Sequence, residues 1–180
     1  MALYFENLDD RTRQLMVDEM EYDISNNQLH ISPFLSGQGQ RDYANLLREA
    51  IQSGNDQTLA ENLRLHRRIL KTLPRRQPKP KGGYSIAATP ENAAEVLAES
   101  EVNRYYIRGL ARRAIDDGIS ELVIYRAKPA RNPRPESEAR VEASLSPQEL
   151  LEDLRAHPGD EPPTLGVPSG PNSGLSVRLP

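Results

Sequence analysis

TPENAAEVLAESEVNRYYIRGLARRAIDDG, residues 89–118, is the stretch around which the rest of the chain has to be arranged. Thr89-Pro90-Glu91 is a helix start: a capping side chain, then a proline in the first turn, where its missing N–H is no loss. Gly118 is a stop. Between them Val96, Leu97, Val102, Tyr105, Tyr106, Ile107, Leu110 and Ile115 spread apolar side chains around much of the girth. A helix apolar on most sides is enclosed by other elements. The spacing therefore predicts a central helix running to Asp117.

Outward from it, Glu121 to Ala127 holds Leu-Val-Ile-Tyr, the strongest strand signal in the chain, and Arg140 to Ser144 is its expected hairpin partner. Ser146-Pro147-Gln148-Glu149 is a capping box that starts a short helix at about 147–155. On the N-terminal side, Leu3-Tyr4-Phe5 is a short strand or anchor, and Leu8, Leu15, Met16 and Met20 give a helix to about Tyr22. Its C-terminal end carries Asp18, Glu19, Glu21 and Asp23, where the helix dipole disfavours negative charge, so a basic partner is expected there. Leu29, Ile31 and Phe34 suggest a short strand weakened by Pro33.

A helix over 41–53 buries Tyr43, Leu46, Leu47, Ala50 and Ile51, and Gly54 ends it as a left-handed cap. Leu59, Leu63, His66, Leu70 and Leu73 then recur at four- and three-residue steps, which predicts one helix to about Leu73 with His66 in its apolar seam. The fold class expected is α+β and mostly helical, with about four main helices, a small β element near 121–144 and an extended C-terminal arm. Residues 1–74 form a helical region with a helical hairpin, and 75–88 a basic Pro/Gly linker without regular structure. Residues 89–155 hold the central helix, the strand hairpin and the capped helix, and 156–180 a flexible or docking arm.

Charge is sorted along the 180 residues. Residues 1–62 hold 4 basic and 11 acidic side chains, a balance of −7, whereas 63–90 hold 8 basic and no acidic ones. The balances of 91–134 (+1) and 135–180 (−5) complete a net charge of −3. Local charge, not net charge, sets what a surface attracts. The cationic block is Arg64, Arg67, Arg68, Lys71, Arg75, Arg76, Lys79 and Lys81, an electrostatic footprint suited to phosphates. Arg104, Arg108 and Arg112, every four residues on the central helix, form a cationic stripe able to extend it. Arg126, Lys128, Arg131 and Arg134 follow the strand.

The competing reading of the block is a face that pairs with the acidic first third of the same or a neighbouring chain. Leu46 to Leu63 also has a helix-turn-helix layout in which Gln57, Thr58 and Glu61 would face a groove. A plain helical hairpin explains the same residues, and Asp56 at the head of a reading helix repels phosphate. Only Tyr84 lies near the block, which gives little aromatic interleaving for single strands.

Catalytic signals are poor. The absence of cysteine excludes disulfides, thiolate zinc sites and cysteine nucleophiles, and fits a reducing cytoplasm. His30, His66 and His157 are isolated, and no metal-ligand spacing is present. No cofactor and no small-molecule substrate are indicated. The N-terminus lacks the basic and apolar regions of a signal peptide, and no apolar run is long enough for a membrane span. At the other end Leu175, Val177 and Leu179 alternate with Ser176 and Arg178, a period-two strand on a Pro-Gly tether. Such a strand is suited to add to a sheet edge, expected in a neighbouring chain.

The function expected is that of a non-enzymatic, self-associating accessory protein that engages nucleic acid through the basic helix and arm. The alternative is an adaptor subunit joined to its neighbours by charged surfaces and the C-terminal strand.

Overall fold

The computed structural model describes residues 2–77, 82–129, 133–159, 161–168 and 174–180. It is α+β. Helix α4 (Ala93–Asp116) runs through the middle, and α1 (Asp10–Ser25), α2 (Gly37–Gln52), α3 (Asp56–Arg64) and α6 (Pro147–Ala156) pack against it. A short helix, α5, spans Pro135–Glu138. The expectation of a central helix is met: Val102, Tyr105, Tyr106, Ile107, Leu110, Ala111 and Ala114 are all buried. Its start lies three residues late. Pro90 to Asn92 form a turn closed by Ala93 N donating to Pro90 O at 3.0 Å, so Thr89 is not the cap.

One glycine sets how closely the helices approach. A Cβ on Gly109 of α4 would lie 2.8 Å from Met16 Cγ and 2.9 Å from the Met16 backbone nitrogen of α1. Glycine inside a helix costs about 1 kcal/mol relative to alanine. Here it lets two backbones nearly touch. Gly54, by contrast, is not the left-handed cap expected of it; the left-handed glycine that ends a helix is Gly118, at φ 69°. Gly54 is required by space, since a Cβ would stand 3.1 Å from Thr58 Cβ and 3.2 Å from Ala50 Cα.

Three strands order as β4-β3-β5: β3 (Leu122–Arg126) lies between β4 (Ser144–Leu145) and β5 (Leu175–Arg178), antiparallel to both. The N-terminal segment anchors beside this sheet. Tyr4 N donates to Ala127 O at 2.8 Å, the Tyr125 hydroxyl donates to Tyr4 O at 2.7 Å, and Phe5 stacks on Tyr106. The capping box is realised, with Ser146 Oγ accepting from Glu149 N.

The terminal strand corrects the expectation of a neighbouring chain. Leu175 and Val177 are fully buried against their own chain's core, and Leu179 is partly buried against it. Ile124↔Val177 and Arg126↔Leu175 are register pairs, and Asn103 Nδ2 on α4 donates to Leu175 O at 2.8 Å. The tether is long enough to return to the chain's own sheet, and burial of those two side chains is what holds the strand there.

The second correction lies at 65–88. The predicted helix to Leu73 ends at Arg64, and His66 and Arg67 take left-handed backbone at φ 54° and 56°. The seam breaks because the next residues are claimed by the start of α2. Ser36 N donates to Arg68 O and Leu70 N to Phe34 O, each at 2.8 Å. The Arg68 side chain donates to Asp42 and to Asn62 O, both at 2.7 Å. His66 is therefore exposed rather than in a core seam. Beyond it the supposed unstructured linker contains an antiparallel pair, β1 (Thr72–Arg76) and β2 (Tyr84–Ala88), in the register Pro74↔Ile86 and Arg76↔Tyr84. Not one residue of either strand is buried. It is a projecting ribbon.

Candidate functional site

The expected cationic residues divide into two groups. Arg104 and Arg108 are buried, which corrects the idea of a phosphate-facing stripe. Arg108, fully buried, donates from Nε to Glu19 Oε2 at 2.9 Å and from Nη1 and Nη2 to the two oxygens of Asp23 at 2.6 and 2.9 Å. Arg155 of α6 donates to both oxygens of Glu19, at 2.6 and 3.0 Å, and lies over the Tyr22 ring. Arg112, partly exposed, reaches Glu19 at 3.4 Å, and the Tyr105 hydroxyl donates to Asp23 at 2.8 Å. Burial alone would raise the Glu19 carboxyl, but Arg155 and then Arg108 outweigh it and hold it below the usual range. The acidic end of α1 thus has its basic partners within its own chain, as its position on the helix requires.

The second group surrounds the ribbon. Arg64 is tied to Glu95 of α4 and Arg68 to Asp42. Arg67, Lys71, Arg75 and Arg76 are exposed and have no ion-pair partner among the described residues. Lys79 and Lys81 lie outside the described residues. Because side chains opposite one another share a face, Pro74, Arg76, Tyr84 and Ile86 stand together on one side of the ribbon. Tyr84 is 76% and Ile86 81% exposed. A two-stranded ribbon that buries none of its residues is marginally stable in water, and charged, proline-containing edges guard it against pairing with other strands.

Elsewhere, α4 lines a cleft of about 530 Å³ closed on the far side by Pro162, Pro163 and Pro168. Here sit Glu101, 2% exposed, and Arg104, 6% exposed. His30 Nδ1 lies 3.3 Å from Glu101 Oε1, and Arg104 Nη2 donates to Gly159 O at 2.6 Å. Glu101 Oε2 and Arg104 Nε and Nη1 have no hydrogen-bond partner among the described residues. The fully buried Tyr43 hydroxyl neighbours Glu101, and its pKa is pushed well above its ordinary value by burial first and the Glu101 carboxylate second. Buried polar groups are nearly always paired, and the exceptions call for an explanation.

Sequence reading missed this cleft, since its polar residues come from positions 30, 101 and 104 and carry no shared spacing. The available signal was ionisable residues in a helix otherwise apolar nearly all round. Among the described residues no group of three or more His, Cys, Asp or Glu is placed to hold a metal ion, and no helix is long and apolar enough to cross a membrane. No protein-family model matches the chain, and no curated protein or solved structure is significantly similar to it.

Proposed function

We propose that this is a non-enzymatic accessory protein that binds nucleic acid through the projecting ribbon. The observation that carries this reading is charge without ion-pair partners among the described residues: Arg67, Lys71, Arg75 and Arg76 stand in solvent on or beside a ribbon of which no residue is buried. Counterion release on meeting phosphates would favour such an arrangement. Protein ribbons of two strands fit the width of a DNA groove. Tyr84, beside Arg76 in register, supplies one stacking surface for an unpaired base. A cysteine-free chain needs no oxidising compartment, so we place the activity in the cytoplasm.

A second reading, a self-associating or adaptor subunit, is favoured by the exposure of Ile86 and Tyr84 on one face. The C-terminal strand no longer supports it. Gel retention with duplex and single-stranded DNA and RNA at about 50 mM salt, where phosphate contacts are strong, run beside a solution mass measurement, separates the two. Retention by the monomer supports nucleic-acid binding. A dimer that retains no probe supports the adaptor.

A further inference from the structure

Resting on the reading that the ribbon binds nucleic acid, we infer that it takes single strands in preference to duplex and holds one unstacked base between Tyr84 and Ile86. The two faces of the ribbon differ. On one, Leu73, Ser85 and Ala87 are half-buried; on the other, Pro74, Arg76, Tyr84 and Ile86 are exposed. The two strands differ as well. The cations Arg75 and Arg76 stand on β1, with Lys71 just before it. The large apolar side chains, Tyr84 and Ile86, stand on β2, which carries no charge.

A single strand is divided in the same way, with phosphates along its backbone and base faces free to stack on side chains. A duplex keeps its base faces stacked inside, turns phosphates outward on both strands and shows only base edges in its grooves. Apolar side chains exposed among cations therefore match the single strand: β1 meets the backbone, and Tyr84 and Ile86 gain cover that a duplex offers only by unstacking. The spacing fits. Side chains two residues apart on one face of a strand stand roughly 6.4–6.8 Å apart. Bases stack at about 3.4 Å, so a ring lying between Tyr84 and Ile86 touches both. Arg76, opposite Tyr84 in register, and Pro74, opposite Ile86, border this slot. No acidic residue between Glu61 and Glu91 is there to repel the backbone. Charge alone would choose the duplex, which carries about twice as many phosphates per unit length as one strand. A preference for the single strand has to come from base faces.

Fluorescence anisotropy of the full chain at about 50 mM salt, with an oligo-dT strand and a DNA duplex of equal length, tests this. The strand is expected to bind more tightly, by roughly tenfold for one stacked base. Tyr84→Ala should weaken strand binding by roughly fivefold to a hundredfold, the range spanned by the loss of one base stack, and leave duplex binding unchanged. Tyr84→Phe, which keeps the ring, should keep the preference. The wild-type protein gives a second readout that does not depend on how the ribbon tolerates the alanine. Its Ile86 methyl NMR signals should move upfield under the ring current of the stacked base when the strand is added, and stay in place with duplex. Duplex binding as tight as strand binding, a strand preference that survives Tyr84→Ala, a Phe variant as weak as the Ala one, or stationary Ile86 methyl signals would each overturn the inference and leave nucleic-acid binding standing. Binding of neither probe would overturn both. A dimer of the free protein that Tyr84→Ala dissociates would give this face to a second copy and overturn the inference too.

Discussion

Along α4, Arg104 and Arg108 point into the body of the protein; along the ribbon, Lys71, Arg75 and Arg76 stand in solvent. In sequence both groups are cationic runs near helical segments. What separates them is the surroundings. Around α4 the chain supplies Glu19 and Asp23 on α1 and covers them with α6, so the charge of Arg108 is spent on internal pairing. Around the ribbon it supplies no acid between Glu61 and Glu91, and no residue of either strand is buried. Cations in the first region should matter to stability and those in the second to binding.

Breaking the interior should have the largest effects. Deleting residues 170–180 removes Leu175 and Val177 from the core, and two fully buried side chains are worth roughly 3–6 kcal/mol together. Denaturant unfolding should show the loss with solution mass unchanged; a drop in mass instead would restore the neighbouring-chain role for the strand. Arg108→Met leaves the buried Asp23 carboxylate without a cation, while Glu19 keeps Arg155, and should cost about 3–5 kcal/mol, the scale for breaking a buried ion pair. A variant as stable as wild type would mean that Asp23 needs no cation, and the contrast between the two regions would fail. Gly109→Ala should cost about 1–3 kcal/mol, because its Cβ meets the Met16 backbone.

The same centre fixes the direction of an acid response. The Glu19 carboxyl is held below its ordinary 4.5 by Arg155 and Arg108 against the opposing effect of burial. A depressed carboxylate contributes stability that is present above the unfolded pKa and lost as pH falls through the folded one. Stability should therefore decline as pH drops from about 4.5 toward the lowered value. Arg155→Met should flatten that decline, measured by denaturant midpoints across the range. An unaltered slope would assign the acid response elsewhere.

Elements whose signals are local were legible in the sequence. The capping serine at 146, the strand at 122–126 and the glycine stop at 118 each depend on a few neighbouring residues, and so does the need for cations near the acidic end of α1. The ribbon was hidden because the leucine spacing continues past Arg64, while what ends the helix is a hydrogen bond across 32 residues, Ser36 N to Arg68 O. The inward turn of Arg104 and Arg108 was hidden for a related reason. Four-residue spacing tells that side chains share a face, not whether that face looks at water. Of the eight cations in the block, Arg67, Lys71, Arg75 and Arg76 are the ones that stand exposed and free of ion pairs among the described residues. The cleft left no trace in any motif.

The smallest stability effect belongs to the ribbon. Replacing Arg67, Lys71, Arg75 and Arg76 together by Gln should leave the unfolding free energy within about 0.5 kcal/mol per site, as for exposed positions away from special features. That silence makes the variant the right instrument for the central claim. Fluorescence anisotropy with a labelled DNA duplex, followed from about 50 to 300 mM salt, gives the slope of log K against log salt. The wild-type protein should bind with a steep negative slope, and the stable four-Gln variant should bind more weakly, with a slope shallower by about 0.9 for each phosphate it no longer neutralises. Wild-type binding with no salt dependence, no binding at low salt, or a variant with the wild-type slope would contradict the assignment of this ribbon to nucleic acid.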